Sequence, residues 1–341
     1  MRCLTLADEM KKLGNNVVFV CKKLDFNLIN KIIDSGYEVK ELPVAPWNNT
    51  NSLLAHAEWL EGSQEDDAEE TKAAIKSLKP DWLIVDHYSL DYCWESMMRQ
   101  ICKNIMVIDD LSDRRHDCDL LLNQNYGSSP ELYSKLVTNK CIQLHGPDYA
   151  LINPVYLESR QHKKLQIKKI DRVLIYFGGS DVFNLTEMTI RAFQVPMLSY
   201  INLDIVIGNS YTYKEELYAA VGSSNRTKIY TNLSNLSELM IKADLAIGAA
   251  GSTTWERLCM GLPSIIVTVA ENQISASEAL SNDGLVHYLG HASEITPVVI
   301  QEKLLDLISR PDELYSLSNK NRSIVDGEGV FRVQNAITSF T

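Results

Sequence analysis

Continuous apolar runs alternate with helix-like segments along nearly the whole chain, and this alternation restricts the fold more than any other feature. The runs lie at 17–21, 82–85, 105–108 and 120–122 in the first half, and at 172–177, 203–207, 228–231, 244–247 and 264–269 in the second. Such runs are typical of parallel strands covered by helices on both faces. The sequence therefore predicts an α/β protein with two Rossmann-like, doubly wound domains.

The length of 341 residues also favours two domains, because a single α/β core rarely grows so large. Segment 156–170 carries four lysines and interrupts the alternation, and we interpret it as a solvated linker rather than a polyanion-binding patch. The predicted domains are then residues 1–155 and 171–341, with a ligand cleft between them. Because the chain opens on an amphipathic segment at 2–13, we expect the first strand of the first domain to be missing from this sequence.

Composition excludes several classes of protein. The formal charge of −11 argues against a nucleic-acid binder, which normally presents a basic face. The seven cysteines are scattered without a C-x-x-C pair, as in reduced cytosolic proteins. No run approaches the roughly 20 apolar residues that span a bilayer. We expect a cytoplasmic monomer without an integral membrane segment, a bound metal or a cofactor.

The strongest local motif lies at 244–256, where an apolar strand leads into Gly248, Gly251 and the hydroxyls of Ser252 and Thr253. Small residues let a backbone approach a phosphate, and a helix N-terminus offers free N–H groups. Glu256 lies four residues after Ser252, on the same helix face, where a carboxylate suits ribose hydroxyls. The alternative is a structural turn in which Ser252 caps the helix, and spacing alone does not decide between them.

Two further loops follow predicted strands of the second half. One carries Gly178, Gly179 and Ser180, with Asn184 shortly after, and the other carries Asn272 within Glu-Asn-Gln. Paired glycines at the carboxyl end of a strand suit close approach to a phosphate or sugar. Three such loops at one end of a sheet predict a ligand site there.

In the first half, two predicted strands end in carboxylates. Asp86, followed by His87 and Tyr88, comes after one strand, and Asp109 with Asp110 comes after another. A D-x-D pattern at 117–119 is formally compatible with a metal, but salt-bridged carboxylates explain it more simply. His87 and His116 adjoin these loops and could act as bases, although structural roles are the commoner outcome for such residues.

Together these motifs resemble the UDP-2,4-diacetamido-2,4,6-trideoxy-β-L-altropyranose hydrolases of pseudaminic acid biosynthesis and the related spore-coat polysaccharide proteins. The matching segments follow one another along nearly the whole chain: 2–7, 85–86 with Tyr88, 108–119, 146–150, 177–181, 248–257, 261–263, 271–273 and 326–333. The resemblance implies the GT-B fold, which is shared with the lipid-II-forming N-acetylglucosaminyltransferases.

The resemblance also implies an activity and a division of roles. Water would attack the anomeric carbon of the UDP-sugar, and the free sugar would leave with inversion. UDP would be held by residues of the second domain: Gly178, Gly179, Ser180, Gly251, Ser252, Thr253, Glu256 and Asn272. The sugar would be approached by Arg2, Asp86, Tyr88 and Asn184, with Asp86 and Tyr88 as catalytic candidates. A metal would not be needed, because UDP is a good leaving group and oriented amides can stabilise its charge.

One element of the family pattern is absent from the sequence. The family's catalytic base is a histidine in a Gly-His-x-x-Arg-Cys motif, and this sequence starts at Met1, directly before Arg2 and Cys3. The base would therefore lie upstream of Met1, and the expectation is an N-terminally shortened, impaired hydrolase. Two alternatives stay open: a GT-B glycosyltransferase that uses a UDP-sugar, and a nucleotide-sugar-binding protein without turnover.

Overall fold

A computed structural model describes residues 1–24, 27–44, 54–165, 167–222 and 224–340. The chain forms two compact units. Unit 1 comprises residues 1–151 and 330–341, and unit 2 comprises residues 152–329. Each has its own apolar core.

Each of the apolar runs corresponds to a strand, and the described residues form three further strands. In chain order the strands are β1 (Val18–Lys22), β2 (Glu38–Leu42), β3 (Trp82–Val85), β4 (Asn104–Ile108), β5 (Leu120–Asn123), β6 (Ile142–His145), β7 (Arg172–Tyr176), β8 (Asn202–Ile207), β9 (Thr227–Thr231), β10 (Leu245–Ala249), β11 (Ser264–Thr268) and β12 (His287–His291). The three further strands are β2, β6 and β12.

The α-helices of the described residues lie mostly between these strands. They are α1 (Arg2–Lys12), α2 (Ile29–Asp34), α3 (Gln64–Ile75), α4 (Tyr92–Met98), α5 (Val155–Ser159), α6 (Leu185–Ala192), α7 (Lys214–Val221), α8 (Ser237–Lys242), α9 (Thr253–Met260), α10 (Ile274–Asn282), α11 (Pro297–Ile308), α12 (Pro311–Ile324) and α13 (Gly329–Thr338). None of them, within the part of the chain that is described, is long and apolar enough to cross a membrane.

Unit 2 is built on one parallel sheet of six strands in the order β12-β11-β10-β7-β8-β9. The chain runs from β7 outward to β9, returns to the other side of β7 and runs outward again to β12. Strands β10 and β11 are buried at every position, which explains their continuous apolar sequences. This is the predicted doubly wound arrangement, and its strand order places β7 and β10 side by side at the centre.

Unit 1 contains two parallel sheets, a pair β1-β2 and a four-stranded sheet in the order β3-β4-β5-β6. Alternate residues of β4 face opposite sides of the larger sheet, as strand geometry requires. Ile105 and Val107 pack in the core that also receives Trp94 of α4. Met106 and Ile108 pack in a second core.

The last helix belongs to unit 1 and corrects the predicted boundary of 171–341. Val330, Val333 and Ile337 of α13 are buried in the second core of unit 1, together with Leu6 of α1. The repeating apolar positions of α13 therefore serve the first domain, although the helix follows the whole of the second in sequence.

The predicted linker at 156–170 also differs from the structure. Residues 155–159 form α5, which packs on α8 and α9, and Tyr156 is 1% exposed. Further along, Ile167 and Ile170 are buried in the core of unit 2. The lysines between these residues suggested a solvated segment, but the apolar residues among them fix it to unit 2.

Candidate functional site

The centre of the unit 2 sheet brings two of the predicted loops together. Strands β7 and β10 are hydrogen-bonded neighbours, and the chain departs from them towards opposite edges of the sheet. Doubly wound sheets bind ligands outside the carboxyl ends of their strands at such a switch point. The loops after β7 and β10 are the two glycine-bearing loops, and the loop after the neighbouring strand β11 is the third predicted loop.

The loop after β7 has open space beside its two glycines. Gly178 has φ of +96°, a conformation that favours glycine, and a Cβ added at Gly178 or Gly179 would meet no atom within 4 Å. Behind the loop, a Cβ on Gly208 would lie 2.2 Å from the carbonyl oxygen of Gly179. Gly208 therefore lets the loop rest against the end of β8, while the open side of Gly179 and the exposed Ser180 remain accessible.

The residues that follow this loop hold the start of α6. The carboxylate of Asp181 accepts the N–H groups of Leu185 (2.9 Å) and Thr186 (2.8 Å), so this side chain caps the helix. Asn184 lies in unit 2, where its side-chain oxygen accepts a 2.7 Å hydrogen bond from the hydroxyl of Tyr211. Its placement on the sugar side stays a prediction.

The loop after β10 leads directly into α9. Ser252 is exposed, and its side chain makes no capping hydrogen bond, so the capping alternative considered for it is not what the structure shows. A Cβ added at Gly251 would meet no atom within 4 Å. The exposed hydroxyl of Ser252 at the N-terminus of α9 therefore follows a glycine with open space beside it, which suits an anion.

Glu256, in the first turn of α9, is hydrogen-bonded to one tyrosine and lies near a second. It accepts a hydrogen bond from the hydroxyl of Tyr156 on α5, and that hydroxyl in turn accepts the N–H of Leu236 at 3.1 Å. Burial raises the pKa of Glu256 to about 7, against the smaller lowering effects of Tyr156 and Arg257. Tyr176, the last residue of β7, lies close enough for the carboxylate to raise its pKa further above the increase caused by burial.

Sequence reasoning missed both tyrosines that surround Glu256. Tyr156 fell in the expected linker, and Tyr176 was treated only as part of a strand. The usable signal was the apolar Val-Tyr-Leu run at 155–157, which is typical of a packed helical turn rather than of a solvated linker.

The loop after β11 has one residue with a clear structural role. The side-chain oxygen of Gln273 accepts the N–H of Val269 at 2.9 Å, so Gln273 braces the loop. Asn272 precedes it and is half-buried. The structure thus places Asn272 in the loop beside the one that carries Ser252, at the same end of the sheet.

In unit 1, a charged cluster joins the carboxyl ends of β3 and β4 to the start of α1. The guanidinium of Arg2 lies 2.6 Å from the carboxylate of Asp86 and 2.7 Å from that of Asp110. The hydroxyl of Tyr88 donates a 2.8 Å hydrogen bond to the same oxygen of Asp110. The structure therefore brings Arg2, Asp86, Tyr88 and Asp110 together, and their role towards a sugar stays a prediction.

The electrostatics of this cluster limit what its members can do. Burial by itself would raise the pKa of Asp86, but the bidentate contact with Arg2 lowers it below its ordinary value. Burial and Asp110 raise the pKa of Tyr88. An ionised carboxylate with a lowered pKa is a poor proton acceptor, and a phenol with a raised pKa stays protonated. Both groups suit hydrogen bonding to a ligand better than proton abstraction.

Met1, upstream of which the family's histidine is expected, has a structural role at the start of α1. Its backbone carbonyl oxygen accepts the N–H of Thr5 at 3.1 Å, and its side chain is 55% exposed. The thioether of Met1 is not a titratable group, so this side chain does not replace the histidine as a base. The placement of the base upstream of Met1 stays a prediction.

The two histidines considered as bases have structural partners. His116 is 1% exposed, and its Nδ1 lies 2.7 Å from Glu95. The Nδ1 of His87 accepts the N–H of Ser89 at 3.1 Å, and burial lowers the pKa of His87.

The D-x-D carboxylates have a partner that the sequence did not indicate. Asp117 and Asp119 both form ion pairs with Arg99, whereas Arg114 pairs with the buried Asp109 at 2.8 Å. The salt-bridge explanation of this pattern is therefore confirmed, with Arg99 in place of the flanking arginines. Arg99 follows α4 and is distant in sequence, which is why local spacing did not reveal it.

The lysine-containing segment lines a cavity of about 570 Å³ with Lys164, Lys168, Lys169, Asp171 and Asp244. Asp171 and Asp244 directly precede β7 and β10, so the cavity lies at the amino ends of these strands. The glycine-bearing loops lie at the opposite ends. The cavity is therefore separate from the candidate site. Its two aspartates also offset part of the positive charge of the lysines.

Comparison with known proteins supports this arrangement. Residues 173–330 match the model of the glycosyltransferase family 28 C-terminal domain, which covers all three loops of unit 2. The crystal structure of MurG from Acinetobacter baumannii superposes with a TM-score of 0.69 over 99% of this chain and 95% of that one, at 14% identity. The chain has the GT-B fold. The predicted fold class is thus confirmed.

Three curated relatives match this chain over part of its length and part of their own. An uncharacterized protein of Methanocaldococcus jannaschii is 27% identical over 80% of this chain and 53% of its own length. The spore coat polysaccharide biosynthesis protein SpsG of Bacillus subtilis is 28% identical over 63% of each chain. The UDP-2,4-diacetamido-2,4,6-trideoxy-beta-L-altropyranose hydrolase of Campylobacter jejuni is 28% identical over 62% of this chain and 74% of its own. This chain thus spans less than two thirds of the first two relatives.

Proposed function

We propose that this chain hydrolyses a UDP-linked 2,4-diacetamido-2,4,6-trideoxyhexose to UDP and the free sugar. The observation that carries the proposal is the convergence, at the switch point of unit 2, of open glycine loops and the half-buried carboxylate of Glu256. The similarity to the Campylobacter jejuni hydrolase supports the choice of sugar and of reaction.

In this proposal, the diphosphate lies against the loops that contain Gly178–Ser180 and Gly251–Thr253. Backbone N–H groups and the N-terminus of α9 neutralise it, so the acidic chain needs no lysine field there. Glu256 accepts hydrogen bonds from the ribose hydroxyls, and Asn272 contacts the nucleotide from the neighbouring loop. Because hydrogen bonds to an ionised acceptor are the stronger ones, binding favours the deprotonated form of Glu256.

The reaction exchanges one bond for another at the anomeric carbon. The oxygen of water forms a bond to C1, and the bond between C1 and the phosphate oxygen breaks with its electron pair on UDP. The water gives up a proton, which passes to the solvent, so the products are UDP and a sugar with a free C1 hydroxyl of inverted configuration. Backbone amides at the start of α9 stabilise the charge that develops on the leaving diphosphate.

Unit 1 supplies polar groups for the sugar. Arg2, Asp86 and Tyr88 form a hydrogen-bonded cluster with Asp110, and such a network holds its side chains in fixed positions for a ligand. We assign Asp86 and Tyr88 to positioning of the sugar or the water. Their pKa shifts disfavour the role of general base.

The direct test is the stoichiometry of product formation. The purified chain is incubated with the UDP-linked diacetamido-trideoxy sugar, and UDP and free sugar are quantified by chromatography. Hydrolysis predicts equal amounts of both without any added acceptor. UDP binding without product formation, at protein concentrations up to that of the substrate, would reject hydrolysis by this chain.

A second candidate is transfer of the sugar to an acceptor, which the match to a glycosyltransferase domain favours. The same assay separates the two functions. A transferase releases UDP only when an acceptor is present, and the sugar then appears in a conjugate. UDP release that does not increase with acceptor sugars favours hydrolysis.

A further inference from the structure

Three aromatic rings lie together beside the charged cluster of unit 1. The ring centroids of His56 and Trp59 are 4.4 Å apart, those of His56 and Tyr88 are 5.6 Å apart, and those of Trp59 and Tyr88 are 5.8 Å apart. Tyr88 is the shared member, because its hydroxyl donates to Asp110. We call the three rings of His56, Trp59 and Tyr88 the aromatic platform.

Hydrogen bonds hold the backbone on both sides of Trp59, although the tryptophan itself is partly exposed. The hydroxyl of Ser89 donates a hydrogen bond to the carbonyl oxygen of His56, and the ammonium of Lys22 lies 2.8 Å from the carbonyl oxygen of Leu60. Leu60 is 3% exposed and packs in the first core of unit 1. The short 3₁₀ turn Ala57–Leu60 is thus anchored on both sides of Trp59, whose side chain is 47% exposed.

Large aromatic side chains normally bury most of their area, so the half-exposed ring of Trp59 has apolar surface available to a partner. Its partner must also suit the neighbouring groups. On one side are apolar ring faces with negative charge density, and beside them are the hydrogen-bonding groups of Arg2, Asp86 and Asp110. A pyranose offers both kinds of surface, with C–H groups on its faces and polar groups at its edge.

We propose that the aromatic platform binds the sugar of the nucleotide-sugar substrate and selects for methyl-bearing, deoxygenated sugars. The inference rests on the proposed function and deepens it. A 6-deoxy methyl group gains by packing against the exposed face of Trp59. A hydroxyl in the same position would lose its hydrogen bonds to water without replacement, so 6-hydroxy sugars bind less tightly.

The roles of the three rings differ in this proposal. Trp59 contacts the sugar and determines specificity. His56 packs against both other rings and fixes their angle, so it is a positioning residue. Tyr88 joins the apolar platform to the polar cluster, because one side chain belongs to both.

The test compares affinities for UDP, for the UDP-linked diacetamido-trideoxy sugar and for UDP-N-acetylglucosamine, which carries a 6-hydroxyl. The variants are Trp59→Ala, Trp59→Phe and, as a matched control, Tyr92→Ala, which removes another partly exposed aromatic ring of unit 1. Stopped-flow fluorescence gives the binding constants before turnover matters. Melting temperatures check that each variant is folded.

The proposal predicts a selective loss. Trp59→Ala should bind UDP as wild type does but should bind the diacetamido-trideoxy substrate about tenfold less tightly or worse, with Trp59→Phe close to wild type. Its preference over UDP-N-acetylglucosamine should shrink in parallel, and Tyr92→Ala should change nothing.

Two results would overturn the proposal, and they can be told apart. If the wild-type chain binds UDP and the sugar nucleotide but Trp59→Ala keeps the full preference, the platform is not the sugar site and the proposed function stands. If the wild-type chain does not bind UDP at all, the proposed function fails and the platform assignment fails with it.

Discussion

The hydroxyl of Tyr156 donates a hydrogen bond to the carboxylate of Glu256, and these two side chains join α5 to the first turn of α9. The hydrogen bond lowers the pKa of Glu256, but burial outweighs it and sets the pKa at about 7. A group that titrates near neutral pH beside the loop to which we assign the diphosphate should make nucleotide binding sensitive to pH. The first two predictions use this property.

UDP affinity should rise with pH through the titration of Glu256. The ribose hydroxyls prefer the ionised carboxylate, so binding strengthens from pH 6 to 8 and then levels off. Glu256→Gln should bind UDP about tenfold less tightly at pH 8, since a hydrogen bond to a charged group contributes about 1.5–3 kcal/mol. Calorimetric titration across this pH range measures both effects.

Tyr156→Phe provides the matched control. Without its hydrogen bond the pKa of Glu256 rises, so the midpoint of the pH profile should move to higher pH. The phosphate of UDP also titrates near pH 6, and that contribution remains in Glu256→Gln. A pH profile that is identical in wild type and Glu256→Gln would show that Glu256 does not contact the nucleotide.

The stability of the ligand-free protein should depend on the same proton. The folded pKa of Glu256 is raised from its ordinary value of 4.5 to about 7. The contribution to stability is therefore fully present below about pH 4 and is lost as the pH rises through 7. Glu256→Gln should remove this component, so its melting temperature should fall less than that of wild type between pH 5 and 8. Equal slopes in both proteins would contradict the raised pKa.

Alanine substitutions of the glycines should distinguish glycines that let a ligand approach from a glycine that is needed for packing. A Cβ at Gly179 or Gly251 meets no atom of the protein within 4 Å, so Gly179→Ala and Gly251→Ala should leave the melting temperature nearly unchanged and weaken UDP binding. Gly208→Ala is the packing control. Its Cβ would lie 2.2 Å from a backbone oxygen, which should cost about 1–3 kcal/mol of stability. Alanine variants of Gly179 and Gly251 that bind UDP normally would place the diphosphate elsewhere.

Arg2→Met should affect the sugar and not the nucleotide. Loss of the guanidinium removes the cation that lowers the pKa of Asp86, so the pKa of this carboxyl should rise. UDP affinity should stay constant, while affinity for the UDP-sugar falls. Lys12→Ala removes an exposed cation from the other end of α1 and is the control. Equal losses for UDP and for UDP-sugar would refute the assignment of Arg2 to the sugar.

The fold could be predicted because its signals are local. Buried strands such as β10 and β11 leave continuous apolar runs, and glycines mark the loops after β7 (Gly178 and Gly179) and after β10 (Gly251). The three loops of unit 2 could be predicted to share one end of a sheet, because parallel strands direct their carboxyl ends the same way.

The misses arise where contacts join residues that are distant in sequence. Tyr156 contacts Glu256 from α5, which lies in the segment that we interpreted as a linker because of its lysines. Helix α13 follows unit 2 in sequence but packs in unit 1. Trp59 contacts Tyr88 from a 3₁₀ turn without any periodic signal of its own. No pattern along the chain indicates such pairs, since the physical cause is tertiary packing.

The most direct test of the central claim is hydrolysis in ¹⁸O-labelled water. The chain is incubated with the UDP-linked diacetamido-trideoxy sugar, and both products are analysed by mass spectrometry before the sugar exchanges its anomeric oxygen. Attack of water at the anomeric carbon predicts ¹⁸O in the C1 hydroxyl of the free sugar and none in UDP. Label in the phosphate of UDP, or UDP formed only together with a glycosylated acceptor, would contradict the account.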